Sequence, residues 1–236
     1  MSTPRLAVTM GDPAGVGPEL CLRLFTPDAP TRDLDLTIFG SREVLDRVAT
    51  TTGLPPTTRV HDLGSVGEFT PGRITPSCGR ASFAALDAAI AAALAGEVDG
   101  IVTCPLHKEA LQAGGLRYPG HTEILVEKTG APTHCMMLTA EEITCALVTT
   151  HIPLREVVPQ LTSEKIVEVG RLAADTMRHL RGREPRLAML GLNPHAGEHG
   201  LFGDEEETII APALAALRAD GLEITGPLPP DTAFIE

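Results

Sequence analysis

Short apolar runs suited to strands alternate with helical patterns along almost the whole chain, and this alternation limits the fold more than any other feature. The expected strands are Arg5 to Met10, Asp35 to Phe39, Asp99 to Thr103, Thr133 to Leu138, Thr144 to Thr149, Arg186 to Leu190 and Leu222 to Thr225. Between the early ones, Ser41 is placed to cap a helix with Val44, Leu45 and Val48 on one side. The Ala-rich stretch Ala81 to Ala95 carries Phe83, Leu86, Ile90 and Leu94 at helical spacing. A third helix starts at Ser163, with Ile166, Val169, Leu172 and Met177 on its apolar stripe. A fourth runs from Glu205 to Ala219, with acids in its first turn where the helix dipole favours them. Strand, helix, strand in this order predicts parallel pairing through right-handed crossovers, and therefore an α/β fold.

At about 150 residues per domain, 236 residues make one large domain or two small ones. Hydrophobic residues at 43% and charged residues at 21% describe a globular chain able to bury a core. Thirty-one acidic residues against nineteen basic ones give a net charge of -12. Nucleic acid and anionic membrane surfaces are therefore poor partners, although a local basic pocket could hold a small anion. The few aromatics (six Phe, one Tyr, no Trp) also argue against stacking platforms for bases. Cys21, Cys78, Cys104, Cys135 and Cys145 are odd in number and form no CxxC pair, so neither a zinc knuckle nor a disulfide framework is expected. The N-terminal apolar stretch is too short for a signal peptide, and no apolar run approaches about 18 residues. The expectation is a soluble, cytoplasmic chain that spans no membrane.

In open α/β sheets ligands collect beyond the carboxyl ends of strands, so the segment after each strand carries the functional information. The first strand runs into Gly11-Asp-Pro-Ala-Gly-Val-Gly-Pro-Glu19, whose glycines suit a close backbone approach but match neither GxGxxG nor a Walker loop. After Thr103 comes Cys104-Pro-Leu-His-Lys108, which puts a cation near a helix start. Pro119-Gly-His-Thr-Glu123 precedes another helical run, and His121 and Thr122 there either meet an anion beside free N–H groups or serve only to cap the helix. Two further strands end in Thr150-His-Ile-Pro153 and in Gly191-Leu-Asn-Pro-His-Ala-Gly-Glu198. Their histidines, His151 and His195, are candidates for one metal. His199 follows His195 by four residues, but in a Pro/Gly loop the two cannot form a helical HExxH pair.

Taken in order, TMGDPAGVGPE, GIVTCPLHKEAL, PGHTE, TTHIPL and GLNPHAGE resemble the 4-hydroxythreonine-4-phosphate dehydrogenase family of vitamin B6 synthesis over essentially the whole chain. The resemblance implies a two-domain fold of the isocitrate/isopropylmalate dehydrogenase type, with α/β/α layers and a cleft between domains, here divided as 1–118 and 119–236. It implies a homodimer with the active site at the interface. It also implies oxidation of a phosphorylated hydroxy acid by NAD or NADP with a divalent metal (zinc, magnesium, cobalt or manganese), followed by decarboxylation of the 3-oxo acid. By position, His121 and Thr122 would bind substrate, and His151 and His195 would bind metal. The family pattern continues to a further metal-binding His, contributed by the partner subunit, and to substrate-binding Lys, Asn and Arg residues. The chain stops at Glu236, so a C-terminally truncated member is expected. Paralogues acting on four-carbon sugar acid phosphates or aromatic cis-dihydrodiols, and a non-catalytic remnant, are the alternatives.

Overall fold

Ala7, Val8 and Thr9 are buried in succession, and a strand without a wet face belongs inside a sheet covered on both sides. This strand, β1 (Arg5–Thr9), is interior to a four-stranded sheet in the computed structural model, which describes residues 3–31 and 33–234. The order is β3-β2-β1-β4, with β2 (Asp35–Gly40), β3 (Val60–Asp62) and β4 (Gly100–Thr103) all parallel to their neighbours. Successive side chains of a strand point to opposite faces. Val8 and Ile38 accordingly pack with Leu22 and Leu45 of α1 (Gly17–Arg23) and α2 (Arg42–Thr52). Ala7 and Phe39 pack with Ala89 and Ala92 of α3 (Pro76–Leu94) on the other face. Leu86 and Ile90 of α3 also meet Leu111 of α4 (Lys108–Ala113) and Ile124 of α5 (His121–Thr129).

By length and composition α3 could cross a membrane, contrary to the expectation that no apolar stretch is long enough. Its Ala85, Leu86, Ala89 and Ile90 are instead buried in the protein, and its Asp87 pairs with Lys128 at 2.9 Å. It is the core helix of this unit. α3 and α4 touch backbone to backbone, because a Cβ on Gly79 would run into the Ala110 carbonyl oxygen. Gly79→Ala is therefore expected to destabilise the unit by about 3 kcal/mol, since neither backbone can yield cheaply. An unchanged denaturation midpoint would show that the two helices are not so closely packed.

Ser41 precedes α2 as expected, but its hydroxyl does not cap the helix and is buried without a hydrogen-bond partner among the described residues. Asp62 takes that role from β3, its Oδ1 accepting from the Arg42 N–H at 3.0 Å. That bond, with one from Gly64, holds the Asp62 carboxyl below the ordinary range.

The chain forms two compact units, Met1–Ala131 and Pro132–Glu236. The expected boundary at 118/119 precedes α5, whereas α5 packs within the first unit through Ile124. In the second unit β5 (Met136–Thr139) and β6 (Thr144–Leu147) pair antiparallel, which corrects the expectation of parallel strands throughout. Residues 140–143 make a hairpin loop and are too few for a crossover. After α6 (Val157–Gln160) comes α7 (Ser163–Arg181), capped by Thr162, whose hydroxyl accepts from the Lys165 N–H at 3.2 Å. β7 (Leu187–Leu190) and β8 (Ile224–Leu228) are parallel, joined through α8 (Ala211–Ala219). The expected helix at 205–219 opens with a π-helical turn, Glu206–Ile210. Pro212 has no N–H for the preceding turn and its ring crowds it, which accounts for the widening there. Ile166, Ala174, Ile210, Leu214, Leu217 and Ile224 form the core.

Candidate functional site

In the first unit the chain leaves β1 for β2 and β3 on one side, then returns to β4 on the other. The crevice beyond the carboxyl ends of β1 and β4 is thus the switch point at which open α/β sheets bind ligands. The loop after β1 and the loop after β4 meet here: the Asp12 N–H donates to the Pro105 carbonyl at 3.0 Å. Asp12 is buried, and its Oδ1 accepts from the Ala14 N–H at 2.9 Å. The close approach implied by the glycines is to the protein itself. Gly11 has φ +70°, and a Cβ there would strike the Pro105 carbonyl, while one on Gly17 would strike that of Met10.

His107 caps α4 through Nδ1, which accepts from the Ala110 N–H at 3.4 Å, and Lys108 follows with no ion partner among the described residues. His121 opens α5. Burial pulls its imidazole pKa down, and a hydrogen bond to the Cys104 carbonyl opposes this only in part. The ring is therefore neutral at neutral pH, and with one N–H given to that carbonyl the other ring nitrogen is an acceptor. Gly120, not Thr122, is the N-cap of α5, and the Thr122 hydroxyl has no partner among the described residues. The capping role open to Thr122 in the sequence is not the one it takes.

His151 and His195 both lie in the second unit, beyond β6 and β7. Among the described residues five non-glycine positions have left-handed backbone: His151 (φ 57°), His195 (φ 54°), Ala196 (φ 53°), Glu198 (φ 41°) and His199 (φ 56°). Each costs roughly 1–3 kcal/mol and persists only where surrounding structure enforces it, a pattern concentrated at functional sites. The left-handed run at 195–199 also rules out a helical His195/His199 pair, as the Pro/Gly loop suggested.

Glu206 enforces the geometry of the second loop. It is 3% exposed, at the first position of the π turn. Its Oε1 accepts from the Leu192 and Asn193 N–H groups, each at 2.7 Å, and its Oε2 accepts from Asn193 Nδ2 at 2.9 Å. Burial alone would raise the Glu206 carboxyl; the bonds from Asn193 and Leu192 outweigh it and hold the group below its ordinary value. Asp231, after β8, accepts from the His195 N–H at 3.0 Å and lies 3.7 Å from His195 Nδ1. Neither acid stands out in the sequence, where Glu206 reads only as a first-turn acid. The His195 side chain remains 64% exposed. No group of three or more His, Cys, Asp or Glu side chains suited to a metal is present among the described residues.

These loops carry the motifs of one family, and its model, described as pyridoxal phosphate biosynthetic protein PdxA, matches residues 30–236. The chain belongs to the PdxA family. A 4-hydroxythreonine-4-phosphate dehydrogenase of Xanthomonas axonopodis pv. citri (strain 306) is 41% identical over 249 residues, covering 100% of this chain and 76% of the relative. The crystal structure of a 4-hydroxythreonine-4-phosphate dehydrogenase from Klebsiella pneumoniae superposes with a TM-score of 0.92 at 38% identity, over 99% of this chain and 76% of the other. A terephthalate 1,2-cis-dihydrodiol dehydrogenase from Burkholderia xenovorans LB400 gives a TM-score of 0.69 at 28% identity, over 100% and 76%. This member of the PdxA family thus has the isocitrate/isopropylmalate dehydrogenase-like fold and spans about three quarters of the length of these relatives.

Proposed function

We propose that the chain is a metal-dependent NAD(P) oxidoreductase that oxidises 4-hydroxythreonine 4-phosphate to a 3-oxo acid, which then decarboxylates. Family membership supports the reaction class. The structural observation that carries the site is the left-handed backbone at His151 and His195, in the two motifs where the family resemblance puts metal ligands.

His151 and His195 would offer a divalent cation two imidazole donors. Two exposed imidazoles are borderline-soft ligands suited to zinc or cobalt more than to magnesium or manganese. Asp231 holds the backbone that presents His195, accepting from its N–H at 3.0 Å, with the carboxylate 3.7 Å from Nδ1. Bound there, the cation would supply Lewis acidity toward the substrate's hydroxyl oxygen. NAD or NADP is the oxidant. The space beside Gly11 and Gly17 after β1 is filled by the carbonyls of Pro105 and Met10, so these two glycines do not cradle the dinucleotide.

His121 and Thr122 hold the substrate at the start of α5, where the helix favours a phosphate or carboxylate. The unpartnered Thr122 hydroxyl donates to the anion, and the neutral His121 ring accepts from a substrate hydroxyl or ammonium. A hydrogen bond to a charged group is worth about 1.5 kcal/mol or more, so Thr122→Ala is expected to raise KM about tenfold. Its melting temperature should stay at the wild-type value, because the hydroxyl bonds nothing among the described residues. Unchanged kinetics would remove Thr122 from the site.

The reading extends to a cytoplasmic homodimer with the active site at its interface. Substrate class is tested by parallel assays with 4-hydroxythreonine 4-phosphate, a four-carbon sugar acid phosphate and an aromatic cis-dihydrodiol. The first should be turned over fastest, in keeping with the weaker likeness to the dihydrodiol enzyme. Preference for either of the others would reassign the chain within its family.

A further inference from the structure

Two thiols that the proposed reaction does not use face one another beneath the first unit's strand-end loops. Cys21 lies in α1 and Cys104 at the end of β4, 83 residues apart in sequence, with their Sγ atoms 3.7 Å apart. Both are free, and they are 0% and 7% exposed. The elements that carry them are closely apposed, since a Cβ added at Gly17, the first residue of α1, would lie 3.2 Å from Cys104 Cβ. A disulfide requires about 2.05 Å between sulfurs, so side-chain motion of under roughly 2 Å would close the gap.

We propose that Cys21 and Cys104 are a redox-modification site that a hydroperoxide converts to a reversible intramolecular disulfide. Cys104 reacts first, because it is the more exposed of the two. Either thiol can donate across the 3.7 Å contact, and that contact holds the Cys104 thiol below its ordinary value and, with burial, raises that of Cys21. With hydrogen peroxide, the Cys104 thiolate attacks one oxygen and the O–O bond breaks, giving a sulfenic acid and a hydroxide that takes up the proton Cys104 released on ionising, as one water. The Cys21 sulfur then attacks Cys104 Sγ, forming the S–S bond as the sulfenic oxygen leaves with the Cys21 proton as a second water. Two thiols lose two electrons and two protons, and the peroxide gains both. A dithiol reductant reverses the change. The bond ties α1 to the end of β4, whose Cys104 carbonyl receives the His121 hydrogen bond, so it stiffens the floor of the strand-end loops.

This chemistry does not depend on the proposed activity, and its test reads mass instead of turnover. The reduced chain is treated with hydrogen peroxide, alkylated with N-ethylmaleimide in denaturant, and mapped without reduction. The expected result is a linked Cys21–Cys104 peptide, alkylation falling from five cysteines to three, and recovery of all five after dithiothreitol. In Cys21→Ala the Cys104 sulfenic acid has no thiol to condense with and should be trapped by dimedone. The wild-type map stands even where that variant fails to fold. A linkage involving Cys78, Cys135 or Cys145, or peroxide treatment that leaves Cys21 and Cys104 alkylatable, would overturn the proposal.

Discussion

His195→Gly is expected to abolish metal-dependent oxidation while leaving the chain at least as stable as the wild type. The imidazole is 64% exposed and packs little, with the Phe202 ring centroid 6.0 Å away and the Asp231 carboxylate 3.7 Å from Nδ1. Its backbone, at φ 54°, is one that glycine adopts freely, so the substitution should add about 1 kcal/mol of stability. Loss of one of the two proposed ligands should remove several kcal/mol of charge stabilisation, roughly a thousandfold or more in rate. His195→Ala should lose activity equally but keep the strain. A gain in stability together with a loss of turnover marks a residue kept for chemistry; retained turnover in the glycine variant would take His195 out of the metal site. The two readouts are a thermal melt and metal-dependent nucleotide reduction.

Glu206→Ala is expected to produce the largest loss of stability in the second unit, about 3 kcal/mol or more. The change strands the Leu192 and Asn193 N–H groups and the Asn193 amide next to a hole, and each lost bond to a charged acceptor is worth about 1.5–3 kcal/mol. The sign of its pH dependence follows from the depressed carboxyl. Its contribution is fully present above the ordinary glutamate value of 4.5 and is lost as pH falls through the lower value of the folded chain. Melting curves in acid should therefore drop more steeply for the wild type than for Glu206→Gln, which has no proton to take up. Parallel pH profiles for the two would show that Glu206 does not carry this charge in the folded state. Activity should fall with stability in Glu206→Ala, because the loop it pins presents His195.

Much of the fold is legible because local pattern and final environment agree. β1, β2 and β4 are apolar runs that end in turn residues, and the stripes of α2, α3 and α7 mark the buried faces except at Leu94, which ends α3 and is exposed. β3 escapes notice because it has only three residues, two of them exposed, and exists through pairing with β2. The antiparallel β5–β6 pair is a matter of loop length, not of residue type. Ser41 shows how a capping residue in the right place can be displaced by a carboxylate from another strand, here Asp62.

The four candidate site residues are legible only as motif positions. What makes them plausible physically, the left-handed turns at His151 and His195 and the unpartnered hydroxyl of Thr122, depends on tertiary structure. The same holds for Glu206 and Asp231, which reach the His195 loop from 13 or more residues away in sequence. The Cys21–Cys104 contact spans 83 residues and has no local signature at all.

The central claim is metal-dependent dehydrogenation, and it is tested most directly by nucleotide reduction with the metal removed and then restored. The purified 236-residue chain, stripped by a chelator, is assayed with 4-hydroxythreonine 4-phosphate and NAD or NADP, then again after addition of zinc, cobalt, manganese or magnesium. The account predicts no reduction without metal, turnover once a cation is restored, and none in His195→Gly under the same conditions. A folded chain that stays silent with every cation, or one that reduces the nucleotide equally well without metal, would contradict it.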